Sequence, residues 1–180
     1  MRPKVFITHR TFPEVLEYLK PHAEVETESP KDAWTPDALA SRIRDKHGIL
    51  TLLVDPVTAD VMDAAQDLKI VANCAVGFDN IDILHARKKG ILVTNTPGVL
   101  TETTADLTWA LILAVARKIP QAHAFTRAGK YMGWRLDLFL GQEVTGKRLG
   151  IVGMGRIGRA VASRAKAFRM EVVYSDPHRL

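Results

Sequence analysis

The chain has 180 residues, 47% of them apolar and 25% charged, with a net charge of +5 and a mean hydropathy of −0.02. That composition suits one ordinary domain or two small ones and excludes disordered, collagen-like and fibrous classes. The longest apolar stretch, Trp109–Ala116, is far short of the roughly twenty residues of a bilayer span, the start Met1-Arg2-Pro3-Lys4-Val5-Phe6-Ile7-Thr8 lacks a secretory core, and one cysteine, Cys74, excludes an internal disulfide.

Strands and helices alternate in chain order, the pattern of a parallel sheet covered on both faces. Val5–Thr8 reads as a short buried strand, Phe12–Leu19 as a helix with Val15, Leu16 and Leu19 on one face, and Val25–Thr27 as a second strand. Thr35-Pro36-Asp37 opens a helix with a cap residue followed by proline. Gly48–Leu53 is the next strand, Asp60–Ala65 a short helix, Lys69–Asn73 a strand, Ile81–Lys88 a helix closed by Gly90, and Ile91–Thr94 a further strand. Asn95-Thr96-Pro97-Gly98 then punctuates the chain. Beyond it, Thr101–Arg117 is the strongest helix, and its middle, Trp109–Ala116, is apolar on every face. Such a helix is expected to be covered all round, by domain core or by another subunit. Gln121–Gly141 reads as a polar and aromatic connection.

The segment Lys147–Ala162 places Gly153, Gly155 and Gly158 in the spacing GxGxxG, after an apolar strand and at the start of a helix. Gly153 permits the tight strand-to-helix turn, Gly155 lets the backbone approach a pyrophosphate, and Gly158 allows close helix packing. The helix N-terminus supplies free N–H groups and a positive dipole end. A strand over Glu171–Ser175 follows and ends in Asp176, placed to accept from ribose hydroxyls and repel a 2′-phosphate. The expected cofactor is therefore NAD. Arg179, which could pair with a 2′-phosphate, keeps NADP as the alternative. The other basic residues are dispersed, with short concentrations at Arg87-Lys88-Lys89 and between Arg156 and Arg169 and no interleaved aromatics, so the expected partner is a small anion and no nucleic acid.

The stretches Val76–Asp82, Gly90–Thr101, Thr104-Ala105-Asp106 and Gly153–Gly158 together resemble the D-isomer-specific 2-hydroxyacid dehydrogenases, most closely their glyoxylate and hydroxypyruvate reductase branch. The resemblance runs over essentially the whole chain. It implies an α/β fold of two doubly wound parallel-sheet units: a flavodoxin-like substrate domain over 1–98 and a Rossmann NAD(P)-binding domain over 99–180, incomplete on its C-terminal side. The Val76–Gly77 loop would clamp the carboxylate of a small 2-oxo acid, with Val76 also near the nicotinamide; a turn capped by Asp79 or Asn80 is the compatible local reading. Thr104 would touch the cofactor or be an ordinary first-turn residue. Arg156 and Ile157 would lie against pyrophosphate and adenosine, and Leu53 would line the substrate pocket or be a core leucine. The resemblance also implies a homodimer, for which the apolar helix is the candidate surface.

The arginine, glutamate and histidine of the family's chemistry lie, by the same resemblance, beyond the equivalent of Leu180, so no catalytic residue is expected within this chain. His9, His22, His47, His85, His123 and His178 read as solvated or capping residues, Cys74 as a small buried thiol, and no metal site is expected. The leading expectation is the N-terminal portion of an NAD(P)-dependent cytoplasmic reductase. A dinucleotide-binding protein like the family's corepressors, and a short chain completed by a partner, are the alternatives.

Overall fold

Short apolar runs separated by capped helices build a parallel sheet in the first part of the chain, in a computed structural model that describes residues 2–178. The chain divides into two compact units, Met1–Pro97 and Gly98–Leu180. In the first, β1 (Lys4–Ile7), β2 (Glu24–Thr27), β3 (Gly48–Thr51), β4 (Ile70–Asn73) and β5 (Leu92–Thr94) form one sheet in the order β2-β1-β3-β4-β5, parallel throughout. α1 (Pro13–Leu19), α2 (Pro36–Ile43), α3 (Ala59–Ala64) and α4 (Ile83–Lys89) connect the strands. This is the flavodoxin-like order, in which the winding reverses between β1 and β3 and leaves a crevice at their carboxyl ends.

Local chemistry sets the helix ends. The side chains of Thr35, Thr58 and Asp82 accept from the amides of Ala38, Val61 and His85, each satisfying a first-turn N–H. Gly90 closes α4 at φ 71, and Arg87, Lys88 and Lys89 sit in its last turn, where they complement the helix dipole. Phe6, Leu39, Ile43, Val61, Met62 and Val71 are fully buried, and Trp34 packs edge-on against Phe6 with ring centroids 5.7 Å apart.

Two boundaries differ from the sequence reading. β3 stops at Thr51 rather than Leu53, because the Asp55 carboxylate takes the Leu52 amide at 2.7 Å and folds the next residues into a turn. α4 begins at Ile83 rather than Ile81; its cap is Asp82, not Asp79 or Asn80, and Ile81 instead bridges to Val57.

The second unit holds α5 (Thr101–Ala116), α6 (Ile119–Arg127), β6 (Arg148–Val152), α7 (Arg156–Ala165), a short 3-10 turn (Lys166–Phe168) and β7 (Glu171–Ser175), with β6 and β7 paired in parallel. α5 packs on α7 through Ala105, Trp109, Val161 and Ala165. Trp109 stacks on Phe168 at 4.7 Å and donates its indole N–H to Val161 O at 3.0 Å. Arg164 reaches from α7 to Glu102 at 2.8 Å and Asp106 at 2.9 Å.

Here too the sequence reading is corrected. The expected connection over Gln121–Gly141 begins inside a helix, α6: Lys118 turns the chain at φ 55, and Pro120 then stands in the first helical turn, where its missing N–H costs nothing. Within the single chain Leu107, Leu111 and Val115 of α5, spaced at helical intervals, are exposed, so domain core does not cover that face. No helix among the described residues is long and apolar enough to cross a membrane.

Candidate functional site

The carboxyl end of the first unit's sheet carries its fully buried polar side chains: Thr8, Thr51, Asp55 and Asn73. Burial of such groups is tolerable only when their hydrogen bonds are made, and here they join into a network. Thr51 Oγ1 donates to Asn73 Oδ1 at 3.0 Å, and Asn73 Nδ2 donates to Gly77 O at 2.8 Å and Asn80 Oδ1 at 3.2 Å. Asn80 Nδ2 donates in turn to Leu52 O and Asp55 O, at 3.1 and 2.9 Å. The Asp55 carboxylate accepts from Thr8 Oγ1 at 2.5 Å and contacts His9 Nε2 at 2.8 Å.

The network carries the Val76–Gly77 loop directly after β4. Ala75 O accepts from Thr96 N at 2.9 Å, and Val76 O accepts from Asn95 Nδ2 at 2.8 Å. The amides of Val76, Gly77 and Phe78 have no hydrogen-bond partner among the described residues. Leu53, at the adjacent strand end, is 65% exposed and so is no core leucine. Cys74 is exposed as well, not the buried thiol expected, because it stands one residue past β4 beside the crevice formed with Thr8, His9 and Leu52.

In the second unit the glycines have three separate tasks. Gly153 turns the chain at φ +91, where a side chain would be strained. A Cβ on Gly158 would stand 2.2 Å from Gly153 O, so α7 meets the turn at a distance only glycine permits. Gly155, the residue preceding α7, has open space beside its Cα, and no side chain caps the helix. The first-turn amides of Arg156 and Ile157 are therefore available to an anion. Ile157 is partly exposed at this opening, which Thr108 and Ile112 of α5 also line. Thr104 does not line it; its amide bonds Leu100 O and its carbonyl accepts the Thr108 hydroxyl.

Asp176 Oδ2 accepts from the Met154 amide inside the glycine turn at 2.7 Å, and Oδ1 accepts from His178 N at 2.9 Å. The His178 amide, then the Met154 amide, with the Arg159 charge nearby, hold its carboxyl below the ordinary range. Each carboxylate oxygen keeps a second acceptor site, so bracing the turn and accepting from a ribose are compatible. Arg179 lies outside the described residues.

The histidines are less solvated than expected. His9 is held by Asp55, His85 contacts Asp63 at 2.9 Å, and His47 Nδ1 accepts from Lys4 N at 3.0 Å, whereas His22, His123 and His178 are exposed. No cluster that could hold a metal occurs among the described residues. The sequence reading missed Asn73, Asn80 and Asn95 as the residues that hold the loop. Asn80 and Asn95 reach partners 28 and 19 residues away, at Leu52 and Val76, so only adjacency to the motifs signalled them, whereas Asn73 lies four residues before its partner Gly77.

A profile of the D-isomer specific 2-hydroxyacid dehydrogenases, catalytic domain, matches residues 5–174. The chain is 49% identical over 179 residues to the glyoxylate reductase of Thermococcus kodakarensis, covering 97% of this chain and 54% of that protein. It superposes with a TM-score of 0.91 and 35% identity on a putative D-isomer specific 2-hydroxyacid dehydrogenase from Polaromonas, over 100% of this chain and 57% of that one. An NADPH-dependent glyoxylate/hydroxypyruvate reductase from Sinorhizobium meliloti, solved with NADP and malonate, gives a TM-score of 0.78 at 34% identity, over 100% and 55% of the two chains. The chain spans about half the length of the curated relatives it matches. The chain thus belongs to the D-isomer specific 2-hydroxyacid dehydrogenase family.

Proposed function

We propose that this chain supplies the substrate-carboxylate loop and the dinucleotide cradle of an NAD(P)-dependent cytoplasmic oxidoreductase acting on a small 2-oxo acid, glyoxylate or hydroxypyruvate. The observation that carries the reading is the cradle: a positive-φ Gly153, a Gly158 pressed against its carbonyl, open space beside Gly155 and an uncapped α7 suit a pyrophosphate. When bound, the nicotinamide supplies the hydride that reduces the keto carbon. Gly155, Arg156 and Ile157 would hold the pyrophosphate, Asp176 the adenosine ribose, and Thr104 a further cofactor contact. Val76 and Gly77 would hold the carboxylate, with Leu53 bordering a small substrate. The arginine, glutamate and histidine that the resemblance calls for have no counterpart in this chain's motifs, and we assign turnover to groups outside it.

Binding of NADH and NADPH to the purified chain, followed by nicotinamide fluorescence, tests the cradle. Gly155→Val should abolish binding of both, and undiminished affinity would remove the reading. Asp176→Asn keeps an acceptor for the Met154 amide while deleting the charge, so it should raise NADPH affinity relative to NADH; an unchanged ratio removes Asp176 from cofactor choice. We further propose that the exposed Leu107, Leu111 and Val115 stripe of α5 receives a second copy of the chain. Leu111→Glu should then shift the sedimentation coefficient from dimer to monomer.

A further inference from the structure

Met154, the residue between the first two glycines of the cradle, is buried and is met on both sides by a charged side chain. Asp176 Oδ2 accepts its N–H at 2.7 Å, and Arg159 Nε donates to its carbonyl oxygen at 3.0 Å. An acid from the end of β7 and a guanidinium from α7 therefore converge on one residue. They carry opposite charges, yet no ion pair joins them among the described residues. Asp176 has both oxygens on amides, those of Met154 and His178. A guanidinium holds five N–H donors in a rigid planar fork. Arg159 commits the Nε donor to Met154 O, and this exposed residue has no other side-chain partner among the described residues. Its Nη1 and Nη2 donors stay open beside the acid.

We propose that Arg159 receives the 2′-phosphate of NADP, so that this chain binds either dinucleotide rather than NAD alone. The inference rests on the reading that the glycine turn is a dinucleotide cradle with the adenosine ribose at Asp176. A ribose held there carries its 2′ substituent to the pair of side chains that share Met154. A carboxylate standing alone would repel a phosphate at that place. A guanidinium on the same residue offsets the repulsion, and its open fork fits two phosphate oxygens, as the point charge of a lysine does not. Asp176 is not left bare when the 2′ hydroxyl is phosphorylated, since its oxygens already accept from two amides. The pair thus divides the cofactors by charge: Asp176 favours the free hydroxyl and Arg159 the phosphorylated one.

The experiment is a calorimetric titration of the purified chain with NAD and with NADP. Arg159→Gln keeps an N–H donor for Met154 O and removes the charge. It should raise the NADP dissociation constant about tenfold, the loss of one charge-assisted contact, and leave that for NAD within about twofold. Arg159→Lys keeps the charge without the fork and should fall between. Added salt should weaken NADP more than NAD in the unaltered chain, and both alike in Arg159→Gln. Equal losses for the two cofactors would overturn the proposal and make Arg159 a support of the turn. An undiminished NADP affinity in Arg159→Gln, with a loss in Arg179→Gln, would overturn it in favour of Arg179. If the unaltered chain binds NAD and excludes NADP, the proposal falls while the cradle reading survives. If it binds neither, the cradle reading falls and the inference falls with it.

Discussion

The two units leave backbone amides without partners by opposite means. In the first, the Val76–Gly77 loop is held by side chains: Asn73 just before it, Asn95 and, through Asn80, the turn of Leu52 and Asp55. In the second, the chain's own geometry does the holding, since Gly153 and Gly158 allow a turn and a contact that no side chain permits. The cores differ in parallel. The first unit encloses Phe6, Leu39, Val71 and their neighbours within a five-stranded sheet, while the second relies on a smaller cluster around Trp109 beside a two-stranded sheet. A side-chain-held site should tolerate changes along its own loop and fail at distant braces; a glycine-held site should fail at its own Cα positions.

That contrast can be broken in several places. Phe6→Ala empties the centre of the first core and should cost about 3–5 kcal/mol, lowering the denaturant midpoint of the first unit while NADH binding in the second persists. Loss of both together would show that the units do not fold independently. Asn73→Leu leaves Gly77 O, Asn80 Oδ1 and the Thr51 hydroxyl without their partner, at roughly 1–3 kcal/mol for each buried group left unsatisfied; calorimetry showing no change would mean that water replaces the network. Gly158→Ala forces a methyl against Gly153 O and should cost the second unit about 1–3 kcal/mol, read as lost near-ultraviolet signal from Trp109 stacked on Phe168.

The smallest effect is on acid stability. Hydrogen bonds from Lys4, then Lys46, hold Asp45 well below the usual carboxylate range, and the backbone amides of His178, then Met154, lower Asp176. Both stay charged in the folded chain where the unfolded chain already binds protons, so their contribution is complete above about pH 4 and is lost as the pH falls through the lower folded values. Urea midpoints should be flat from neutral pH down to that point and then decline. Added salt should blunt the contribution of Asp45, an exposed ion pair, more than that of Asp176, which rests on amides.

The parts of this architecture readable in sequence were those written in neighbouring residues. GxGxxG, the Thr35-Pro36 helix start and the Gly90 stop each depend on residues a few positions apart, and each stands where expected. The braces were not readable, because Asn95 to Val76 and Asn80 to Leu52 depend on strand register. His9 and Asp55 meet only because β1 and β3 are neighbours. α6 was hidden by Pro120, which reads as a terminator until Lys118 adopts its left-handed turn and makes the proline a first-turn residue. Leu53 was drawn into β3 by its apolar character, whereas the Asp55 side chain had already ended the strand.

The strand order has a consequence during synthesis. β1 lies between β2 and β3, and every strand of its sheet is made by Thr94. Translation proceeds at about 5–20 residues per second, and N-terminal domains generally fold first. The five strands of the first unit's sheet thus all precede α5 in synthesis, so every strand pair in the order β2-β1-β3-β4-β5 is available before the exposed stripe at Leu107, Leu111 and Val115 is made.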